Sequence, residues 1–386
     1  MKKRVLGLLL CGVMAFSMLA TACGGGGDAP APDQENSQAT TPTEGGLKIA
    51  IVSSPSGVDD GSFNQNNYEG IQSFIANHPD ASVTAVKEES GDTAAAVQAV
   101  ADIVADYNVI VCCGFQFAGI GSIAQDNPNV DFILVDSNPT DSEGNEVEVA
   151  NVYAMTFAEQ ESGFYAGVAA ALETKSNKVA VVNGIAYPSN VNYQYGFESG
   201  VNYANKNLAT SAEVVEIASY AGTDVTGANV GGNYVGTFAD EATGKVVGNA
   251  LINEGCDILF VAAGGSGNGV FTAAKEASNV KVIGCDVDQY DDGTNGDSNV
   301  VLTSVLKVMD KNVEKQLNAV IDGTFEGKND LLGADTDSTG YVKEEVRQQL
   351  SADTITKIDE VYEMVKSGTI VPASNFNGIL PEDLGK

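Results

Sequence analysis

The chain has 386 residues, enough for a leader and two lobes of ordinary domain size. Its formal net charge of −32 excludes charge-driven binding to nucleic acid or anionic lipid and reads as a solubilising surface. His78 is the single histidine, which excludes Ser-His-Asp and Cys-His catalysis and any multi-histidine metal site.

Lys2, Lys3 and Arg4 precede an apolar run over residues 5–19, and Leu19-Ala20-Thr21-Ala22-Cys23 closes it. A basic start, an apolar stretch and small residues before a cut mark an export signal. A Cys directly after the small residues is the bacterial lipoprotein variant. Residues 1–22 are therefore expected to be a signal peptide and Cys23 the lipidated first residue. The apolar run is shorter than the roughly 20 residues a membrane span needs. Residues 23–46 offer almost nothing apolar to bury and are expected to form a disordered tether. These features place the protein on the extracytoplasmic face of the cell membrane, held by a lipid anchor.

From Leu47 the pattern alternates. Residues 48–52 read as a buried strand, 62–77 as a helix with Tyr68, Ile71 and Ile75 on one face, and 83–86 as a strand. A helix over 93–105, a strand over 109–113, a helix over 119–125 and a strand over 132–135 follow. Gly163 and Gly167 form a small-xxx-small pair that reads as close helix packing in a soluble chain. The pattern restarts at 178–182, where KVAVV echoes KIAIV, and an aromatic-rich helix again follows. Apolar strands between helices imply parallel sheets covered on both faces. The expected architecture is α/β, with two doubly wound parallel-sheet lobes and a ligand cleft between them. Residues 47–155 plus 287–320 are assigned to the N-terminal lobe, and 156–286 plus 321–386 to the C-terminal lobe.

Loops rich in Gly, Asp, Ser or Asn follow several strands, where ligands of open parallel sheets bind. Ser62-Phe63-Asn64 opens the first helix. Either Phe63 stacks on a planar ligand beside Asn64, or Ser62 is a helix cap and Phe63 tucks into the core. Gly264 to Gly269 sits between a strand and a helix over 270–277; it lacks the Lys-Ser/Thr of a P-loop, and its backbone amides either cradle a ligand or merely turn. Asp286 and Asp288 end the strand VKVIGCDVD, and the acidic residues after them fail the EF-hand pattern. Asp286 is the better ligand candidate, with carboxylate oxygens suited to vicinal hydroxyls. Lys307, in a chain with few lysines, either pairs with Asp286 and holds it for hydroxyl recognition or is an ordinary surface lysine. Cys112, Cys113, Cys256 and Cys285 have no zinc spacing and read as small buried hydrophobes; adjacent Cys112 and Cys113 point to opposite faces of a strand.

Six stretches in order carry a resemblance. They are Asp59-Asp60-Gly61-Ser62-Phe63-Asn64-Gln65, Gly196-Phe197-Glu198-Ser199-Gly200, Gly236-Thr237-Phe238-Ala239-Asp240, Ala263-Gly264-Gly265-Ser266-Gly267-Asn268-Gly269, Asp286-Val287-Asp288-Gln289 and Leu302-Thr303-Ser304-Val305-Leu306-Lys307. Together they resemble the basic membrane protein family of lipoproteins over about residues 48–341. The resemblance implies a type I periplasmic-binding-protein fold, with two lobes joined by three crossovers, and nucleoside capture for an ABC importer. Carried over, Phe63 and Phe238 would sandwich the base, Asn64 and Asp136 would address base edges or the nearby sugar, and Gly264, Asp286 and Lys307 would hold ribose hydroxyls. Ser54 stands near the expected base edge where the family often has an acidic residue, and Gly61 where it often has Lys.

The expected function is a non-enzymatic, lipid-anchored receptor for a nucleoside, with a purine nucleoside favoured. Its partners would be the nucleoside, an ABC permease and the membrane through the anchor; no cofactor, no metal and no nucleic acid are implied, and a monomer is expected. The runner-up is a receptor for a sugar or other small polar metabolite. The remote alternative is an exported nucleoside hydrolase.

Overall fold

The computed structural model describes residues 46–385. The expected signal peptide, Cys23 and all of the expected tether but Gly46 lie outside them. The first half contains β1 (Lys48–Ser53), α1 (Phe63–Asn77), β2 (Ser82–Lys87), α2 (Thr93–Ile103), β3 (Val109–Cys113), α3 (Gly121–Asp126), β4 (Asp131–Val135) and β5 (Val152–Phe157). Next come α4 (Glu159–Glu173), β6 (Lys178–Asn183), α5 (Pro188–Asn207), β7 (Glu213–Val214) and a ribbon of β8 (Gly222–Thr223) and β9 (Asn229–Gly231). Then follow α6 (Glu241–Asn253), β10 (Ile258–Ala262), α7 (Gly267–Glu276), β11 (Lys281–Gly284), a ribbon of β12 (Thr294–Asn295) and β13 (Ser298–Asn299), and β14 (Val301–Lys307). The chain ends with α8 (Met309–Ile321), β15 (Lys328–Leu332), β16 (Thr339–Tyr341) and α9 (Ala352–Lys366).

One sheet runs β2-β1-β3-β4-β5-β15, parallel throughout. The other runs β7-β6-β10-β11-β14-β16, parallel except for its last strand. The two windings are the same, so β4 and β11 hold equivalent places, as do β5 and β14. Helices cover both faces of each sheet, which is why β1, β3 and β10 are continuous apolar runs. Cys112 packs in the core on one face of the first sheet and Cys113 in the core on the other.

The sheets redraw the expected lobe boundaries. Val301–Lys307, assigned to the first lobe from sequence, pairs with β11 in the second sheet, and Lys328–Leu332, assigned to the second lobe, pairs with β5 in the first. Which sheet an apolar run joins is set by long-range pairing, and a hydrophobic pattern does not encode it. The expected helix over 119–125 is a 3₁₀ turn over Phe115–Ile120 leading into the short α3.

The chain crosses between the sheets after Phe157, after Lys307 and after Leu332. The crossings lie side by side. Ala158 N–H donates to Leu332 O at 2.8 Å, and Val308 N–H to Ser338 O at 2.9 Å. The start of α4 stitches them together. Glu161 Oε2 accepts from Ala334 N–H (2.7 Å) and Thr339 Oγ1 (2.5 Å), and Ser162 Oγ donates to Leu306 O at 2.8 Å.

The glycine pair on α4 does what its spacing predicts. A methyl at Gly163 would lie 2.4 Å from Tyr193 O, and one at Gly167 would lie 2.1 Å from Phe197 O, both on α5. Backbone cannot rotate away as a side chain can. Gly167→Ala is therefore expected to destabilise by about 2 kcal/mol despite the helix propensity it gains. Gly248→Ala in α6, where the methyl meets Ala273 Cβ at 3.1 Å, should cost less than half as much. Urea unfolding of the two variants checks this, and equal losses would contradict it.

Candidate functional site

The carboxyl ends of both sheets face one cavity. All eight residues singled out from sequence as ligand contacts border it: Ser54, Phe63, Asn64 and Asp136 from the first lobe, and Phe238, Gly264, Asp286 and Lys307 from the second. Asp136 directly follows β4 and Asp286 follows β11, which are equivalent strands. Both have positive φ, 63° and 69°. That conformation is costly for most residues and more tolerable for Asp, and it turns each carboxylate off its strand end.

Lys307, the last residue of β14, is 2% exposed and stands among three carboxylates. Its Nζ donates to Asp136 Oδ1 at 2.8 Å and Oδ2 at 2.6 Å, lies 3.4 Å from Glu159 Oε1, and lies 4.0 Å from Asp286 Oδ1. The rings of Phe63, Phe157 and Tyr193 surround the ammonium at 5.0, 5.5 and 5.6 Å. Burial works against the lysine charge, but Asp136, Glu159 and Asp286 outweigh it and hold the ammonium protonated well above its usual range. Burial also raises Asp136, with Lys307 pulling back. Glu159 is pushed up to about 7 by burial, opposed by Lys307 and reinforced by Asp136. The expected Lys307–Asp286 pair is thus the longest of the three. Asp286 is held instead by Tyr193 Oη, which donates at 2.8 Å, and Ser62 Oγ, which donates at 3.3 Å.

The lobes touch across the cleft. Besides Ser62 and Asp286, Ser56 Oγ donates to Phe238 O at 2.9 Å and Gln289 Nε2 to Gly61 O at 3.3 Å. The rings of Phe115 and Tyr187 meet with centroids 5.1 Å apart. This is a closed arrangement, with polar groups at the floor and aromatic rings along the walls, suited to a flat ligand bearing hydroxyls.

The sequence profile of the family described as ABC transporter substrate-binding protein PnrA-like (Bmp) matches residues 47–228 and 218–375. The chain belongs to the Bmp family. It is 30% identical over 348 residues to the ABC transporter nucleoside-binding protein BmpA of Lactococcus lactis, covering 85% of this chain and 87% of the relative. It is 29% identical to the CD4+ T-cell-stimulating antigen of Listeria monocytogenes, over 96% of this chain and 98% of that protein. Among solved structures, an ABC transporter solute-binding protein of Aeropyrum pernix K1 superposes with a TM-score of 0.71 at 22% identity, covering 86% of this chain and 94% of that one. One from Conexibacter woesei gives 0.61 at 20% identity, over 85% and 99%. The fold is that of ABC solute-binding proteins, and the chain is a substrate-binding protein of an ABC transporter.

Within this Bmp-family chain, local geometry departs from the sequence reading at the start of α1. Ser62 makes no side-chain cap. The cap is Asp60, buried, whose carboxylate accepts from the N–H groups of Ser62, Asn64 and Gln65 at 3.0, 3.2 and 3.0 Å. Asn64 is absorbed by the same knot. Its Nδ2 donates to Asp60 Oδ2 at 2.8 Å and Ser54 Oγ at 2.9 Å, so both amide protons are spent inside the protein. Asn64 therefore orients Ser54, whose hydroxyl proton is left to donate.

Sequence reasoning missed Phe115, Gln116, Tyr187, Ser189, Asn190 and Tyr193 in the cavity wall, and Glu159 behind Lys307. Phe115 and Tyr187 had a signal: each stands within a few residues of a strand end. Glu159 had none, because only the crossover brings it to Lys307. The acidic loop after Asp286 is partly neutralised from outside, with Arg347 paired to Asp288 at 2.6 Å and Asp291 at 2.9 Å.

Removing the cation tests the cluster. Lys307→Met leaves buried carboxylates without their partner and is expected to destabilise by about 3–5 kcal/mol near neutral pH. The folded-state values of Asp136 and Glu159 already lie above their unfolded ones and should rise further, so the native form binds more protons than the unfolded one. Stability then falls as pH rises through that window, and the variant should be closer to wild type at about pH 5 than at about pH 8. Urea midpoints at both pH values measure it; a loss independent of pH would contradict the cluster.

Proposed function

We propose that this protein captures a nucleoside, with a purine nucleoside favoured, from a lipid anchor outside the cell and delivers it to its ABC permease. The observation that carries the reading is the pairing, in one closed cavity, of aromatic walls from both lobes with a buried carboxylate–lysine floor. In this reading Phe63 and Phe238 cover the faces of the base. Asp286, with Lys307, Asp136 and the Gly264 backbone beside it, receives the ribose hydroxyls. Gly184 underlies Phe238: a methyl there would stand 2.2 Å from its ring, so the ring has a seat that a larger residue would take away. The Lactococcus relative named for nucleoside binding supports the ligand class. The Cys23 motif supports the anchor. Closure is favoured only to the extent that the ligand binds the closed form better than the open one. No step of this function makes or breaks a covalent bond, so the residues bind and orient.

A thermal-shift panel of the purified protein with nucleosides, free bases, ribose and common sugars tests the ligand class. A ligand at about 100 times its Kd adds about 2.7 kcal/mol. A shift with purine nucleosides but not with bases or ribose is expected. A shift with sugars alone would replace the nucleoside by a sugar. Phe63→Ala and Asp286→Ala should each weaken nucleoside binding by about 10- to 100-fold in calorimetry while the protein stays folded. Unchanged affinity in both would remove these residues from the site. For the anchor, Cys23→Ser should move the protein from the membrane fraction to the soluble one.

A further inference from the structure

Glu159 is the first residue of α4, just past the first crossover, and its side chain is 3% exposed. It does not border the cavity where the eight sequence-derived residues meet; it stands behind Lys307, beside an adjoining open groove. One oxygen lies 3.4 Å from Lys307 Nζ. The other accepts from Asn192 Nδ2 at 3.1 Å, and Asn192 Oδ1 accepts from the Asn375 backbone N–H at 3.0 Å.

We propose that Glu159 is a positioning residue for ligand capture: it holds or releases the third N–H of the Lys307 ammonium, and binding of an uncharged ligand draws one proton from solvent onto its carboxylate. This rests on the proposed binding role of the cavity. An ammonium has three N–H groups. Two are engaged by Asp136, and the third lies between Glu159 at 3.4 Å and Asp286 at 4.0 Å. One cation therefore faces three carboxylates, an excess of two negative charges when all are ionised. A ligand that fills the cavity and expels water strengthens their repulsion. The relief falls on the carboxylate held least. Asp136 has two short bonds to the ammonium, and Asp286 accepts from two hydroxyls. Glu159 has one side-chain amide, its own backbone N–H and one long contact to the ammonium. Its carboxyl, pushed up to about 7 by burial against the pull of Lys307, is already poised to accept. Once neutral, it stops competing for the third N–H, which turns to Asp286 and the hydroxyl held there.

The groups facing Glu159 are accounted for from each side. Lys307 comes from β14 and Asp136 from the end of β4; Asn192 and Tyr193 come from α5, and Asp286 lies beyond Lys307 at the end of β11. Among the described residues, Lys307 is the one cation paired with these carboxylates.

The test is calorimetry of the full-length protein with inosine from about pH 5.5 to about 8.5, in buffers of different ionisation enthalpy so that protons are counted. If binding raises the Glu159 value by about one unit, affinity is about tenfold higher at the acid end and a proton is taken up near neutrality. Glu159→Gln, neutral at every pH with the same shape, should bind with a flat profile near the wild-type acid-end affinity. Glu159→Ala should not reproduce that affinity, since it loses the contact to Asn192. A flat wild-type profile, or a Gln variant that keeps the wild-type slope, overturns the proposal. Should the Gln variant fail to fold, the wild-type proton count still decides. If inosine gives no heat at any pH, the nucleoside reading fails separately. Carboxyl NMR of the ligand-free protein then decides this one: titration of Glu159 near neutrality while the Lys307 ammonium stays protonated supports it, and a Glu159 ionised throughout overturns it.

Discussion

The buried ammonium of Lys307 is the interaction on which the arrangement depends. An unpaired charge in a protein interior is prohibitively costly, so the fold must bring carboxylates to it. They come from three separate places, the end of β4, the start of α4 and the end of β11, while the lysine ends β14. Two of these, Glu159 and Lys307, flank points where the chain crosses between lobes. The charge cluster is therefore also a joint, fastened by Glu161 and Ser162 one turn away. A hinge built this way resists shear, because any slide of one lobe on the other lengthens a buried ion pair. Rotation that keeps the crossings together is far less costly, and that is the motion a two-lobed receptor needs.

Repetition of one winding in two lobes explains why the site is made as it is. Equivalent strands β4 and β11 each end in an aspartate with positive φ. The two carboxylates would repel across the cleft if nothing lay between them. Lys307 lies there, closer to Asp136, and the asymmetry leaves Asp286 to Tyr193 and Ser62. Asp136 has both oxygens on the ammonium, while Asp286 accepts from two hydroxyls. The start of α1 shows a similar chain of bonds beside the cavity. Asp60 caps α1 and fixes Asn64, Asn64 fixes Ser54, and the hydroxyl proton of Ser54 is what remains to offer.

The alternation of buried strands and helices was legible, and so was the close helix pair at Gly163 and Gly167, because both follow from local periodicity and side-chain size. The ligand contacts proposed from motifs share one cavity because they sit at strand ends, which a sequence marks with Gly, Asp and Asn. Roles within the cavity were less legible. Whether Asn64 faces a ligand or its own helix cap depends on where Asp60 turns, and no spacing states that. Lys307 was expected to meet Asp286 and does so at 4.0 Å, but its shorter partner, Asp136, comes from the other lobe and no spacing marks it. Glu159 was invisible because its neighbour is 148 positions away.

The charge balance of the cavity bears on what can enter it. The chain is acidic overall, and the buried cluster at and behind the cavity floor repeats the sign locally, with one lysine among three carboxylates. Among the described residues, Lys307 is the one basic residue in the cavity wall, and it is already paired with Asp136. An anionic ligand would add charge to an excess that burial has made costly, with no free cation to meet it. A phosphate ester would therefore lose most at the moment of closure, when water leaves and the effective dielectric falls. An uncharged ligand with hydroxyls loses little, since its donors meet carboxylates that lack them. The floor that holds the lobes together thus leaves, among the described residues lining the cavity, no uncommitted cation to meet an anion on closure.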